Sequence, residues 1–377
     1  MLREIPGALA AELRALEWRG PRGLEAAEAT AAVTLATLAA LALHADNPWW
    51  AGISAFQVTR AAPAVAWSRG IDRVAGSILG AAAALIVLRL FVYQTLPFLL
   101  CLFALSCAGA IGFVTSRHGY AWLIGTVTAC LVMLMSFDQP AAAFATAVNR
   151  VVEVVIGSGA ALLVSSLSPA PAGAAAAAAT LMDPPPLAFW RRDYGTRLQR
   201  WLPGSGALLL NACRGGLTVM LMPSLANWIA PVTPVAMGIT AVMVLSLPTT
   251  AVVTADNRAI VERAVHRLIG CLIGALTALG LFLVIGDVFA VWVGLLAAGI
   301  WLCSQIQTGK AGVGYIGTQA MFAYVTSMVQ GLRPPDSIAP GFERLVGIVG
   351  GLSLLLVVTL VLSLIPVSPP ATAASGD

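Results

Sequence analysis

The chain has 377 residues, of which 59% are hydrophobic and only 10% are charged, and its mean hydropathy is +0.89. Soluble globular proteins carry about 25% charged residues, so this composition excludes a soluble enzyme, a nucleic-acid-binding protein and a disordered protein. The net charge of +4 is spread along the chain in a way that reports membrane topology rather than a nucleic-acid-binding patch.

Residues 1–25 are predicted to form a cytoplasmic amphipathic segment ahead of the first apolar run. Leu2, Ile5, Leu9 and Leu13 recur on one side of a helix, with charged residues at other positions. This pattern is typical of a helix that lies on a membrane surface.

The rest of the chain predicts an all-α, polytopic integral membrane protein with about twelve transmembrane helices. Apolar runs of spanning length are separated by charges or by Pro and Gly. They form two six-helix membrane repeats at 26–167 and 207–365, joined by a cytoplasmic linker at 168–206 and followed by a cytoplasmic tail at 366–377. The predicted spans are residues 26–44, 48–66, 74–93, 97–114, 119–136, 147–167, 207–226, 232–252, 264–285, 288–306, 311–329 and 344–365.

The positions of the cations predict the orientation of these spans. Sixteen of the 21 Lys and Arg residues fall in segments that face the cytoplasm if both termini are cytoplasmic. This distribution satisfies the positive-inside rule. We therefore expect a multi-pass protein of the bacterial plasma (inner) membrane with both termini in the cytoplasm.

The two halves of the chain repeat each other. An RxxxRxxGxxxG pattern that begins at Arg69 recurs 194 positions later at Arg263, and Arg150 recurs at the same offset as Arg344. Matched blocks in the same order indicate an internal duplication. Because six spans per half is an even number, the two repeats are parallel, and a pseudo-twofold axis is expected along the membrane normal.

Two short motifs follow each other in the first half, and the second half holds corresponding residues. The motifs are Asn47-Pro48-Trp49-Trp50-Ala51 and Arg69-xxx-Arg73-xx-Gly76-xxx-Gly80, and the corresponding residues run from Arg214 through Arg267 and Gly270 to Arg344. This arrangement resembles the FUSC family, which comprises fusaric acid resistance proteins and related aromatic acid exporters. The resemblance covers about 26–167 and 207–365, which is most of the chain.

The resemblance implies an inner-membrane exporter of aromatic or other small organic acids that is driven by the proton gradient. The family is similar in its membrane part to plant aluminium-activated malate channels, so a passive organic-anion channel remains an alternative, as does a non-transporting membrane scaffold subunit. The partners to consider are a small organic anion, the lipid bilayer, a periplasmic adaptor (membrane fusion) protein and a second copy of the chain. No cofactor, metal or nucleic acid is expected. Many longer members of the family have a large soluble domain, whereas this chain has only the segment 168–206 in its place.

Two arginine pairs are candidates for binding a substrate carboxylate. Arg69 and Arg73 lie one helical turn apart, as do Arg263 and Arg267, so each pair shares one helix face. Guanidinium groups bind carboxylates through two parallel hydrogen bonds. The alternative interpretation is that the pairs anchor the helix ends at the inner leaflet.

Arg150 and Arg344 are candidates because they lie on the side of the membrane that the charge rule disfavours, at the outer ends of the sixth and twelfth spans. Glu153 follows Arg150 by one turn, and Glu343 adjoins Arg344. Structural pairing with these carboxylates and guidance of the substrate are equally consistent with the positions.

Trp49 and Trp50 begin the second predicted span. Tryptophans at such a position are typical of the aromatic belt at the membrane interface. They are also candidates for stacking on an aromatic substrate.

Arg214 lies within the seventh predicted span, where a charge costs about 2.5–3.5 kcal/mol on insertion scales. When Pro48 is aligned with Pro234, Glu28 takes the position equivalent to Arg214. We therefore predict that Glu28 and Arg214 approach each other across the pseudo-twofold axis. Glu28 is then a candidate proton carrier, with an interfacial position as the alternative.

Asp72 and His266 fall inside the two RxxxR motifs and are further candidates for proton coupling, because an imidazole titrates near neutral pH. The alternative is that both side chains are solvated at the membrane surface. The sequence contains no HExxH, GxSxG or P-loop motif. An enzymatic activity is therefore not expected.

Overall fold

The computed structural model describes residues 4–59, 63–137, 139–168, 206–226, 234–247, 251–252, 256–285, 288–331 and 339–365. Within these ranges the chain forms thirteen α-helices, one short 3₁₀ helix and no strand. The helices are α1 (Ile5–Arg14), α2 (Pro21–Ala42), α3 (Pro48–Thr59), α4 (Pro63–Phe91), α5 (Thr95–Thr115), α6 (Gly119–Met135), α7 (Ala143–Leu167), α8 (Gly206–Ala226), α9 (Pro234–Leu245), α10 (Asn257–Ile285), α11 (Phe289–Gln307), α12 (Gly314–Met328) and α13 (Ala339–Leu362). Nearly all of the predicted linker and the whole predicted tail lie outside the described residues.

Eight of the described helices are long and apolar enough to cross a membrane, namely α2, α4, α5, α7, α8, α10, α11 and α13. The prediction of an all-α, polytopic membrane protein is thereby confirmed. The helices α3, α6, α9 and α12 are shorter, with 12, 17, 12 and 15 residues. At 1.5 Å per residue these helices are about 18–26 Å long, which is less than the roughly 30 Å of a bilayer's hydrocarbon core. Each occupies a predicted span, so the described chain has eight full-length spans and four short helices rather than twelve equal spans.

The boundary between the second and third predicted spans is wrong in the sequence analysis. Instead of spans at 48–66 and 74–93, α3 ends at Thr59 and α4 begins at Pro63. Proline lacks an N–H donor and its fixed φ suits the first position of a helix, so Pro63 begins α4 rather than closing α3. The early start places the RxxxR motif inside α4 instead of at its end.

Helix α1 packs on the first unit through the N-terminal part of its apolar side, while Leu13 on the same side is exposed. Ile5 is buried against Ile306 of α11, Val313 of the following loop and Ile316 of α12. Glu12, on the polar side of the helix by sequence, is only 3% exposed. Its carboxylate accepts hydrogen bonds from Arg22 at 2.5 Å and from the backbone N–H of Ala311 at 2.6 Å, and these bonds offset the cost of burying the charge.

The described helices form two compact units, and each unit contains segments of both sequence repeats. The first unit lies within Met1–Val74, Val148–Met182 and Val265–Leu345, and the second within Ala75–Ala147, Asp183–Ala264 and Val346–Asp377. In the first unit α2 packs on α3 and α11, and α12 packs on α11 and α3. In the second unit α8 packs on α9 and α5, and α6 packs on α5 and α9. The same pairings of equivalent helices therefore occur in both units, as a duplicated sequence would produce.

Glycines of the repeated motif allow two equivalent close helix crossings. In the second unit Gly80 of α4 lies against the backbone of Gly125 in α6, and in the first unit Gly274 of α10 lies against the backbone of Ala320 in α12. A Cβ atom at Gly80 or Gly274 would overlap the facing carbonyl oxygen. Small residues are what permit such close approach of helices in a membrane. The second glycine of the motif therefore lies at a close helix crossing in both halves of the chain.

Replacing Gly274 by Ala is expected to destabilise the protein, since the added methyl group must push α10 away from α12. Overpacking of this kind costs about 1–3 kcal/mol. In a thermal unfolding assay of the purified protein we expect a decrease of about 5 °C in Tm. Gly280→Ala is the matched control, because Gly280 lies on the same helix and no atom is within 4 Å of the place that its added methyl group would take. An equal effect of both substitutions would contradict the close crossing.

Candidate arginine-rich site

Two arginines and two tryptophans form a continuous stack in the first unit. The rings of Trp49 and Trp50, the first residues of α3 after Pro48, lie with centroids 4.3 Å apart. The Arg150 guanidinium lies 3.8 Å from the centroid of Trp50, and that of Arg344 lies 5.1 Å from the centroid of Trp49. Such cation–π contacts contribute about 2 kcal/mol or more when they are desolvated. We refer to these four residues as the arginine–tryptophan stack.

One end of the stack is buried and the other end is partly exposed. Trp50 is 6% exposed and Arg150 2%, whereas Trp49 and Arg344 are half-buried. Burial of Trp50 removes it from the aromatic belt at a lipid interface. The half-buried pair leaves the Trp49 side of the stack accessible to a ligand.

Polar contacts hold the start of α3 against α7. The backbone N–H of Asn47 donates to Glu153 Oε1 at 2.9 Å, and the Asn149 side chain donates to Asp46. Glu153 is 1% exposed, and its negative charge is partly balanced by Arg150. A carboxylate at the N-terminal end of α3 is also stabilised by the helix dipole. Glu153, which lies one turn from Arg150 as predicted, therefore helps to hold the arginine–tryptophan stack in place.

Arg150 and Arg344 lie farther into their helices than predicted. Since α7 begins at Ala143 and α13 at Ala339, both arginines follow the first turn instead of standing at the helix ends. Among the described residues, Arg344 forms no hydrogen bond or ion pair, so the proposed pairing with Glu343 is absent there.

Arg267 extends this positively charged region of the first unit. It is 4% exposed and donates from Nη1 to Gln319 Oε1 at 2.5 Å, which joins α10 to α12. Its charge and that of Arg344 act on each other and on the thiol of Cys271, which lies one turn after Arg267. Three of the predicted arginines, Arg150, Arg267 and Arg344, thus belong to this region together with both tryptophans.

The other predicted members of the RxxxR motifs take separate positions. Arg73 is 2% exposed and His266 8%, so neither is a solvated residue of the membrane surface, whereas Arg69 and Asp72 are half-buried. Arg263 lies in the second unit, where its Nε donates to the Met243 carbonyl at 3.3 Å and its Nη2 to Ser246 Oγ at 3.5 Å. A cation at the last carbonyls of a helix is favourable, so Arg263 stabilises the end of α9.

Arg214 is a buried cation of the second unit. It is 2% exposed, its Nε makes no hydrogen bond, and the described residues offer it no ion pair. Glu28 lies in the first unit, half-buried, and accepts a hydrogen bond from Ser165. The approach of Glu28 to Arg214 stays a prediction.

Sequence reasoning missed Gln319, the hydrogen-bond partner of Arg267. Gln319 directly follows Ile316-Gly317-Thr318, which repeats Ile124-Gly125-Thr126, but the first half has Val127 at the corresponding position. A comparison of the two repeats selects only residues that match, so it gave no reason to select Gln319. Within the ranges that the structure describes, no cluster of three or more His, Cys, Asp or Glu residues could hold a metal ion.

Comparison with known proteins identifies matches in both halves. A family model described as fusaric acid resistance protein family matches residues 25–183, and one described as fusaric acid resistance protein-like matches residues 225–358. The p-hydroxybenzoic acid efflux pump subunits AaeB of Salmonella arizonae, Salmonella paratyphi B and Salmonella newport are each 29% identical to the chain over 134 residues. That alignment covers 32% of this chain and only 20% of the length of these curated relatives. No solved structure gives a significant match. With a match in each half, this multi-pass membrane protein belongs to the fusaric acid resistance protein family.

Proposed function

We propose that the protein exports small aromatic carboxylic acids across the bacterial inner membrane and that the proton gradient drives this export. The observation that carries the proposal is the arginine–tryptophan stack. It combines the half-buried edge of Trp49, against which an aromatic ring can pack, with two guanidinium groups that attract a carboxylate. The substrate class named for the related efflux pump subunits, p-hydroxybenzoic acid, has both of these features.

The short helices support a transport path at this position. In transporters, short hydrophobic segments at corresponding positions of two repeats mark the binding site. Helices α3 and α9 are such a pair, each with 12 residues and each beginning at a proline. The stack stands at the first turn of α3, where the positive end of the helix dipole adds to the attraction for an anion.

The proposal includes the orientation and the partners. Both termini lie in the cytoplasm, and a periplasmic adaptor protein accepts the exported acid, since the related proteins are named as subunits of a pump. A homodimer is part of the same proposal. Glu28, Asp72 and His266 are the candidate proton carriers, and Arg214 is a second cationic position for the anion in the second unit.

Transport in inside-out membrane vesicles tests the function. Vesicles that are acidic inside should accumulate radiolabelled 4-hydroxybenzoate above its external concentration, and dissipation of the pH gradient with nigericin should stop this. Passive diffusion of a weak acid would concentrate it on the alkaline side, which is the opposite direction. Vesicles without the protein are the control.

The same assay separates an exporter from a channel. Glu28→Gln keeps an acceptor for the Ser165 hydroxyl but cannot ionise, so uphill accumulation should be lost while downhill exchange of 4-hydroxybenzoate continues. Flux that follows only the electrochemical gradient of the acid in the unaltered protein would support the channel instead.

A further inference from the structure

Gln319 has an unused hydrogen-bond donor in the interior of the first unit. The side chain is fully buried on α12, and its Oε1 accepts the hydrogen bond from Arg267. Because guanidinium groups only donate, this bond fixes which end of the amide is Nε2. Gln319 Nε2 is buried and has no hydrogen-bond partner among the described residues. Buried polar groups are nearly always paired, so an unpaired amide donor points to an acceptor that a ligand supplies.

The surroundings of this donor are positively charged. Arg267 bonds directly to Gln319, and the Arg344 charge lies within electrostatic reach of Arg267. The two like charges repel, and Arg344 makes no ion pair with the described residues. Cys271 completes the local packing, with its thiol 3.9 Å from the Gln319 carbonyl oxygen. An anion placed here would satisfy the free amide and relieve the repulsion between the arginines.

We infer that Gln319, Arg267 and Arg344 form the subsite that binds the carboxylate of the substrate, with the amide Nε2 donating to one carboxylate oxygen. We call these three residues the amide–arginine subsite. Arg344 belongs to both this subsite and the arginine–tryptophan stack, so a ring attached to the bound carboxylate lies next to Trp49. The inference rests on the proposed function and adds the residue that selects a carboxylate over a neutral aromatic molecule.

Binding of benzoate and benzamide to the purified full-length protein, measured by isothermal titration calorimetry, tests the inference. Gln319→Leu should weaken benzoate binding by about ten- to a hundred-fold, since hydrogen bonds to charged groups contribute in this range, and should weaken benzamide binding much less, because the neutral amide oxygen is a weaker acceptor than a carboxylate. Gln330→Leu is the matched control, because the Gln330 amide donates to the Ser327 carbonyl and lies outside the subsite.

Gln319→Glu separates a binding role from a packing role. The new carboxylate would pair with Arg267 and Arg344 in place of the ligand, so benzoate binding should be lost while Tm stays the same or rises. Unchanged benzoate affinity in Gln319→Leu, or equal losses for benzoate and benzamide, would overturn the inference. Chloride that competes with benzoate at equal concentration would also overturn it, because the subsite would then bind anions in general.

The inference and the proposed function can fail independently. If Gln319→Leu weakens benzoate binding selectively but vesicles do not transport 4-hydroxybenzoate, the amide–arginine subsite is supported and the proposed export function is contradicted. If vesicles transport the acid and Gln319→Leu binds benzoate normally, the exporter stands and this assignment of Gln319 is wrong.

Discussion

Replacement of Arg150 by Gln is expected to abolish export of aromatic acids and to destabilise the protein. Arg150 is 2% exposed, stacks on Trp50 at 3.8 Å and balances the charge of the buried Glu153. Its removal leaves that carboxylate without its cation, at a cost of about 3 kcal/mol or more. We expect a marked decrease in Tm together with loss of 4-hydroxybenzoate accumulation in vesicles.

A double substitution distinguishes the two effects of Arg150. In Arg150→Gln/Glu153→Gln the uncompensated charge is gone, and the new amide oxygen can still accept the Asn47 N–H. Most of the Tm should return, but export should not, because the guanidinium is missing from the stack. Arg89→Gln is the control, as Arg89 is exposed near the end of α4. Normal export by the double variant would show that Arg150 only stabilises the fold.

Replacement of Glu12 by Ala is expected to release α1 from the rest of the first unit. Glu12 joins α1 to Arg22 and to the Ala311 N–H, while Arg22 also donates to the Gln305 carbonyl at 2.9 Å. Without the carboxylate, the Ala311 N–H loses its acceptor and the half-buried Arg22 its counter-charge, which costs about 2 kcal/mol. Hydrogen exchange measured by mass spectrometry should accelerate at least ten-fold in α1 and in residues 308–313.

The release of α1 should also affect the helices that carry the amide–arginine subsite. Val265 and Ile269 of α10 and Ile316 of α12 pack in the same cluster as Ile5, and these helices carry Arg267 and Gln319. Benzoate binding should therefore weaken in Glu12→Ala while the preference for benzoate over benzamide persists, since the amide–arginine subsite itself is unaltered. Glu25→Ala, at an exposed position of α2, should change neither exchange nor binding. Unaltered exchange in α1 would show that apolar contacts alone hold this helix.

The internal duplication indicated some of the site residues in the sequence but not others. Arg150 and Arg344 stand out because they match each other across the halves at an unfavourable side of the membrane. Gln319 and Glu12 have no such counterpart or unusual setting, and their importance depends on Arg267 and Ala311, which are distant in sequence. A contact between distant residues leaves no signal in hydropathy or local spacing.

The helix boundaries show a similar limit. Hydropathy located nearly every helix because it measures how a segment partitions into a membrane. It did not separate α3 from α4 correctly, since an apolar run continues past the proline that begins the second helix. It also did not distinguish the shorter helix α6 from the full-length spans, because α6 is apolar as well.

The sequence by itself determined a duplicated, all-helical membrane protein, the glycines that recur in its two halves and most of the arginines of its candidate site. Only the tertiary structure decided which helices pack together, and it combined α2 and α3 of one repeat with α11 and α12 of the other in one compact unit. It also brought Arg150 and Arg344 to two tryptophans that only the first repeat supplies. The physical reason is that no hydrophobic force draws one apolar helix to another within a bilayer, so shape and buried hydrogen bonds decide which helices pack together.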